Sequence, residues 1–458
     1  MESKDIQHLY WRAAFGISPR LLDEHRGMDR AQVVHDLFAN ASDISPLSID
    51  TSELDHYQPS DFVNNKQKRN EFIQKSMQYI LKLNTSWIER LMDSPGSLRE
   101  RMTLFWANHF VCKDRNIYHV QNYNNTLRAH ALGNFGDFVR AISKEAAMLK
   151  YLNSNQNRKQ KPNENFAREL LELFTLGEGN YTEKDIKECA RAFTGYSHNF
   201  QGEFILRPAR HDNGYKFFLG STGRYDGDDI IDIILQQKQC ARFVCVKIYT
   251  YFVNSKINQS HVDAMTEVFY KDYNIEKLMH FVFTSDWFYE TQNIGSKIKS
   301  PIALLVGMAQ TVPLKFEEPK DLLKIQRILG QTLLDPPNVA GWKGDKAWID
   351  ANTIMVRLKL PSLLLNNAII SLKEQGDFND SFREQFYKRV KNKLPFKTVP
   401  YWESFMSSYN AVKTENLSEL LIQGAINEGT IDYLQTLSKK SKRDYCIQLM
   451  SLPEYQMC

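Results

Sequence analysis

The sequence predicts a mainly α protein: a multi-helix globular bundle with αα-hairpins and one short β-ribbon. Three observations carry this. Apolar residues recur at spacings of three and four along several segments, which is the helical period. Strand signals are sparse, the best being "GEFILRPA" (Gly202–Ala209) and "YKFFLG" (Tyr215–Gly220). The composition, 42% hydrophobic, 12% aromatic and 24% charged over 458 residues, supplies enough apolar material for a sizeable core.

The clearest helix is Met77–Leu91, "MQYILKLNTSWIERL". Arg101–Val111 continues the pattern with Leu104, Phe105 and Phe110, and Asp229–Leu235, Ala241–Phe252 and Ile275–Phe283 read the same way. The two strand segments are expected to pair around the turn Asp212-Asn213-Gly214. Asn153–Pro162, Arg210–Asp228, Leu334–Lys346 and Ile44–Asn64 read as loops. No internal repeat is evident. After Leu365 the character changes, so a main helical domain over 1–365 and a C-terminal helical region over 366–458, packed on it, are expected. The basic runs Lys388–Lys397 and Lys439–Arg443 read as solvated helix faces.

The net charge of +4 is small for this length and gives no push toward nucleic acid as a partner. Six cysteines form no C-x-x-C pair and no zinc spacing, so reduced thiols are expected. The first residues, "MESKDIQHLYWRAAFGISPR", contain no apolar signal region, and no apolar run reaches membrane-spanning length. A cytoplasmic protein without a membrane span is the expectation, with export alongside a signal-bearing partner as the alternative.

"PNENFARELLELFTLGEGNYTEKDIKECARAFTGY" (Pro162–Tyr196) reads as two short helices around a tight turn. At the α-helical step, Phe166, Ala167, Leu170, Leu173 and Phe174 make the buried stripe of the first helix. Glu164, Arg168 and Glu172 follow at i, i+4 and i+8 as a ladder of alternating sign. Thr182 and Asp185 read as a capping box for the second helix, and Gly177 and Gly195 as helix stops. Glu169, Glu172, Asp185 and Glu188 could then converge on one groove. Such acids build carboxylate metal sites in bundles, but Arg168 and Arg191 lie close enough to neutralise them. Three readings stay open: an ion-pair ladder with caps, a metal site, or a site for a polar ligand and acid/base work.

Elsewhere, "FWANHFVCKDR" (Phe105–Arg115) places Asn108 and His109 after a tryptophan, as packed residues or as ligands. "RPARHDNGYKFFLG" gathers Arg207, Arg210, His211 and Asp212 before a turn, a combination that suits either the turn itself or an anion. "DPPNVAGWKGDKAWID" carries Trp342 and Trp348 near glycines, where they could close a core or bind a sugar. No P-loop, G-x-G-x-x-G, G-x-S-x-G or H-E-x-x-H motif is present.

The long hairpin motif closely resembles the signature of the bacterial family known as domain of unknown function 1800. So do "HLYWRAAFG" (His8–Gly16), "LFWANHF" (Leu104–Phe110), "HDNGYKFFLG" (His211–Gly220), "IKSP" (Ile298–Pro301), "DPPNVAGW" (Asp335–Trp342) and "LMSLPEYQ" (Leu449–Gln456). The resemblance implies no established activity and no cofactor. It implies members that are often exported and often encoded beside a phosphatase/sulfatase-like family, hence a possible protein partner of that kind and glycan-like or sulfated material. One departure stands out. Where the family often has His-Asn-His, this chain has Ala107, Asn108 and His109, which removes a His-x-His pair.

The resulting expectation is a polar cleft lined by acids, arginines and histidines. Whether it is an enzyme is left open. The first reading is hydrolysis or acid/base chemistry on a polar or glycan-like substrate, with Glu169, Glu172, Glu188 and His211 as catalytic candidates. His109, Asn108, Arg191, Arg210, Asp212 and Trp342 are the ligand-binding candidates, and no metal is assigned. The second reading is a non-enzymatic binding or assembly protein working with the phosphatase/sulfatase-like partner.

Overall fold

The computed structural model describes residues 1–93, 96–367 and 396–458. It is mainly helical, and its sheets among the described residues are three two-stranded antiparallel ribbons. The longest helix among the described residues, Lys66–Asp93, buries Phe72, Tyr79, Ile80, Leu83, Trp87 and Leu91 along one stripe. It packs on Ile117–His130 and on Pro301–Thr311. A reciprocal pair of amide hydrogen bonds, Asn84 Nδ2 to Gln326 Oε1 at 3.1 Å and Gln326 Nε2 to Asn84 Oδ1 at 2.7 Å, ties it to Pro319–Leu329. Two buried amides that satisfy each other avoid the desolvation penalty either would carry alone.

The helix Ser97–His109 is enclosed on every side, with each residue from Leu98 to Ala107 buried. Its charged residues therefore need internal partners. Glu100 finds them: Arg128 Nε donates to Oε1 at 2.6 Å and Trp87 Nε1 to Oε2 at 2.9 Å. The first helix, Ser3–Ala13, docks through Arg12, whose Nη2 donates to the Asn293 carbonyl at 2.6 Å and to Ser296 Oγ at 2.9 Å.

At the other end of the chain, the Lys297 and Cys458 backbones exchange hydrogen bonds of 3.1 and 2.8 Å, and Lys299 N–H donates to the Gln456 carbonyl at 2.8 Å. Phe405, Tyr409, Tyr445 and Tyr455 from this region belong to the same hydrophobic cluster as Ile6 and Leu9. Of the basic run Lys388–Lys397, residues 388–395 lie outside the described residues. In the other run, Lys439 and Lys440 are exposed as expected, whereas Lys442 Nζ donates to the Tyr409 and Val412 carbonyls at 2.9 and 2.6 Å.

The expected ribbon needs correction. Both strands form, but not with each other: Phe204–Leu206 pairs with Tyr196–His198, and Lys216–Phe218 with Ser221–Gly223. The reason is local. Leu219 and Gly220 both have positive φ, +46° and +85°, the geometry of a tight two-residue hairpin turn, so Lys216–Phe218 closes on the nearest segment. The Asp212–Gly214 turn does form, with Gly214 N–H donating to Asp212 Oδ1 at 2.8 Å. It redirects the chain without joining two strands. The third ribbon joins Leu314–Phe316 to Thr398–Pro400.

Candidate functional site

The hairpin starts as the helix Asn165–Glu169 and continues as a π-helical stretch, Leu170–Thr175, in which Leu176 N–H reaches the Leu171 carbonyl at 2.9 Å. Gly177 and Gly195 both have φ of +82°, as expected of helix stops. Thr182 and Asp185 cap the second helix, Glu183–Ala192, reciprocally. The even ladder read from an α-helical wheel is not what forms. The wider π turn re-aims the residues that follow it. Arg168 keeps Glu164, at 3.5 Å, but takes Glu183 across the hairpin at 2.9 Å, while Glu172 accepts from the Tyr181 hydroxyl at 2.9 Å.

The other charges are also engaged. Arg191 donates from Nη1 to Glu188 and from Nε to Asp212, both at 2.8 Å, and to the Tyr215 carbonyl at 3.1 Å. Burial pushes the Asp212 carboxyl up, but the Arg191 hydrogen bond and the Gly214 N–H outweigh it and hold it below its ordinary value. Glu188 accepts from Phe217 N–H at 3.0 Å and Asp185 from Leu219 N–H at 2.9 Å, which fastens the ribbon to the helix. His211 is buried and its Nδ1 donates to the Thr194 carbonyl at 2.8 Å. Arg210 lies apart, in a shallow cleft with Arg158 and Lys161. Among the described residues Glu169 alone of the hairpin candidates has no hydrogen bond or ion pair. It is half-buried, and burial together with the Glu172 charge raises its pKa.

The structure opens a cavity elsewhere. About 430 Å³ in volume, it lies between the end of Ser97–His109, the 297–300 segment and the 339–345 loop. Asn108, His109 and Trp342 all line it; from the hairpin only Leu173 does. Asn108 is a clamp. Its Oδ1 accepts from Trp342 N–H at 2.7 Å, and its Nδ2 donates to the Trp342 carbonyl at 3.1 Å. Gly341 makes this approach possible: its φ is +76°, and a Cβ there would sit 2.2 Å from Asn108 Oδ1.

His109 is buried among Phe105, Trp106, Phe110 and Phe174. Its Nε2 donates to the Phe174 carbonyl at 3.0 Å, one of the carbonyls left over where the π stretch ends. Burial, with the Lys247 charge added, pushes its pKa down to about 3, so the imidazole is neutral and Nδ1 keeps its lone pair.

The lining is cationic: Arg101, Lys247, Lys297 and Lys343 face the Asp345 carboxylate, 4.0 Å from Lys297 Nζ, and Cys458, whose negative charge also acts on Lys297. Burial holds Lys247 and Lys297 below the ordinary lysine value. Arg101 is 5% exposed, and its Nε and Nη1 meet no acceptor. Its guanidinium lies over the rings of Phe15 and Tyr251, 4.9 and 5.1 Å from their centroids. A buried donor without an acceptor costs about 1–3 kcal/mol, more when charged.

The sequence reading reached Asn108, His109 and Trp342 but not Arg101, Lys247, Lys297 or Asp345. One signal was available for Arg101: its helix is apolar on several faces, with Leu98, Met102, Leu104, Phe105 and Trp106, so a charge within it was bound to be buried. Nothing local marked the lysines. Among the described residues no group of three or more His, Cys, Asp or Glu is placed to hold a metal ion, and no helix is long and apolar enough to cross a membrane.

The fold is mainly α-helical, and one of its cavities is lined by Arg101, Lys247, Lys297 and Lys343 together with Trp342 and Trp348. A family model described as Protein of unknown function (DUF1800) matches residues 8–457, and the chain belongs to that family. No curated protein sequence and no solved structure matches it.

Proposed function

We propose that the protein is a hydrolytic or acid/base enzyme acting on a polar, glycan-like substrate, and that the substrate sits in the Trp342 cavity. The observation that supports this most is the make-up of the cavity lining, with the indoles of Trp342 and Trp348 beside an excess of cations. In this reading Asp345 is the base, paired loosely with Lys297, and the neutral His109 accepts a substrate hydroxyl at Nδ1. Leu173 is the hairpin's contribution to the wall, and Glu169, whose pKa burial raises, remains the hairpin's candidate acid. Calorimetric titration with neutral and acidic oligosaccharides tests the reading. Trp342→Ala should weaken binding at least tenfold with the circular dichroism spectrum intact. Asp345→Asn should abolish turnover while binding persists. No saccharide binding at millimolar concentration sinks the proposal.

A second reading, an assembly protein for a phosphatase/sulfatase-like partner, is favoured by one observation. Ile205, Leu206, Tyr215 and Phe217 are exposed on or beside two ribbons, one of which, Lys216–Gly223, the hairpin acids fasten down. Stoichiometric co-purification with such a partner, lost on Phe217→Asp, supports it; a monomer in its presence argues against it. We place the protein in the cytoplasm, a reading supported by six unpaired, buried cysteine thiols, with export alongside the partner as the alternative.

A further inference from the structure

We propose that Arg101 is an oxyanion-binding residue, and that the cavity ligand carries a carboxylate or sulfate-type group which docks on its guanidinium. This rests on the cavity being the ligand site and adds what the ligand must present there.

The argument starts from the other buried arginines. Arg128 gives all of its guanidinium nitrogens to Glu100, Asn124 and Asn125. Arg99 donates to the Ala41 and Arg128 carbonyls at 2.7 and 2.9 Å. Arg12 and Arg357 each reach a backbone carbonyl at 2.6 Å. Among the described residues Arg101 reaches no acceptor, although it is as deeply buried as Arg99, at 5% exposure against 8%. Arg12 Nε and Arg357 Nη1 also lack a partner, but both side chains reach acceptors through their other nitrogens; of these five arginines Arg101 is the one that reaches none among the described residues, and it borders a cavity.

What does contact Arg101 points the same way. Two aromatic rings take the flat cation, and rings satisfy its charge in part without accepting its N–H groups. The Asp345 carboxylate of the lining is engaged elsewhere, with Oδ1 4.0 Å from Lys297 Nζ and 3.4 Å from the Ile298 N–H, and Cys458, also in the lining, accepts no hydrogen bond from Arg101 among the described residues. Lys297 and Lys247 add positive charge around the same space. A planar fork of donors, dry and flanked by ammonium groups, matches the parallel oxygens of a carboxylate or of a sulfate ester. A neutral ligand would leave the cations as uncompensated as before.

Calorimetric titration of the full chain with glucuronate, inorganic sulfate and glucose tests this. Wild type should bind glucuronate at least tenfold more tightly than glucose, and sulfate should compete with glucuronate. Arg101→Gln should erase the preference and leave glucose affinity unchanged. Sulfate binding lost in the variant, with neither sugar bound by wild type, supports the oxyanion site and removes the glycan reading. Equal glucuronate affinity in wild type and variant where glucuronate binds, glucose bound by wild type as tightly as glucuronate, or sulfate affinity unchanged in the variant overturns the proposal. Should Arg101→Gln fail to fold, wild-type crystals soaked in selenate decide. An anomalous peak within hydrogen-bond distance of Arg101 supports the assignment; peaks only elsewhere, or none, overturn it.

Discussion

The acidic hairpin and the cavity are opposites in how they use charge. The hairpin is crowded with acids in sequence, yet in space nearly every one is consumed: Glu164 and Glu183 by Arg168, Glu188 and Asp212 by Arg191, Glu172 by Tyr181, and Asp185 by Thr182 and Leu219. The cavity wall is assembled from scattered cations that no single stretch advertises, and one of them, Arg101, has no acceptor among the described residues. The difference teaches that charge density along a chain says little about available charge. Acids three and four residues from arginines neutralise locally. Charges brought together by tertiary packing are left over only where the fold leaves room for something else.

The contrast can be broken most sharply within one helix. Glu100→Ala strips Arg128 and Trp87 of their buried acceptor and should destabilise by about 3–5 kcal/mol in denaturant unfolding, the range for removing one partner of a buried pair. A loss under about 1 kcal/mol would mean that the pairing contributes little. Next comes the hairpin itself. Arg191→Ala leaves Glu188 and Asp212 facing each other and should lower stability by about 1–2 kcal/mol, moderated because Arg191 is 27% exposed. Glu172→Gln keeps its oxygen for Tyr181 and should change little, so a large loss there would show that the hairpin acids are not merely paired.

A smaller effect sharpens the comparison from the acid side. Glu145 is a half-buried carboxyl whose bond is to the Thr126 hydroxyl, at 2.5 Å, and desolvation raises its pKa from 4.5 to about 7. Because the folded state holds this proton more tightly than the unfolded one, the carboxyl carries no penalty below pH 4.5. Stability is then lost as the pH rises from there through about 7. Glu145→Gln should flatten that part of the profile in pH-dependent unfolding, and an unchanged slope would count against a desolvated acid without a cationic partner. The smallest expected effect is at Arg101. Arg101→Met removes a cation without an acceptor and keeps the packing against Phe15 and Tyr251. Stability should stay within about 1 kcal/mol of wild type, or rise. A loss of several kcal/mol would show that the fold does satisfy Arg101.

Much of this protein was legible from local pattern. The helices over Met77–Leu91, Ala241–Phe252 and Ile275–Phe283 stand inside the observed Lys66–Asp93, Lys238–Phe252 and Ile275–Thr284. The Thr182–Asp185 box, the glycine stops and the Asp212–Gly214 turn formed as read. Each of these depends on residues within about four positions of one another, the distance over which capping, turn chemistry and helical periodicity act.

What the sequence by itself determined is therefore where the helices run, how they end and which family the chain belongs to. The tertiary structure alone decided which strand pairs with which, the π turn that sends Glu172 to Tyr181, and the meeting of Asn108 with Trp342 across 234 positions. It alone left Arg101, among the described residues, without an acceptor at the edge of a cavity. The physical reason is that a hydrogen-bond partner is chosen by packing in three dimensions. Partners far apart along the chain leave no periodic trace in it.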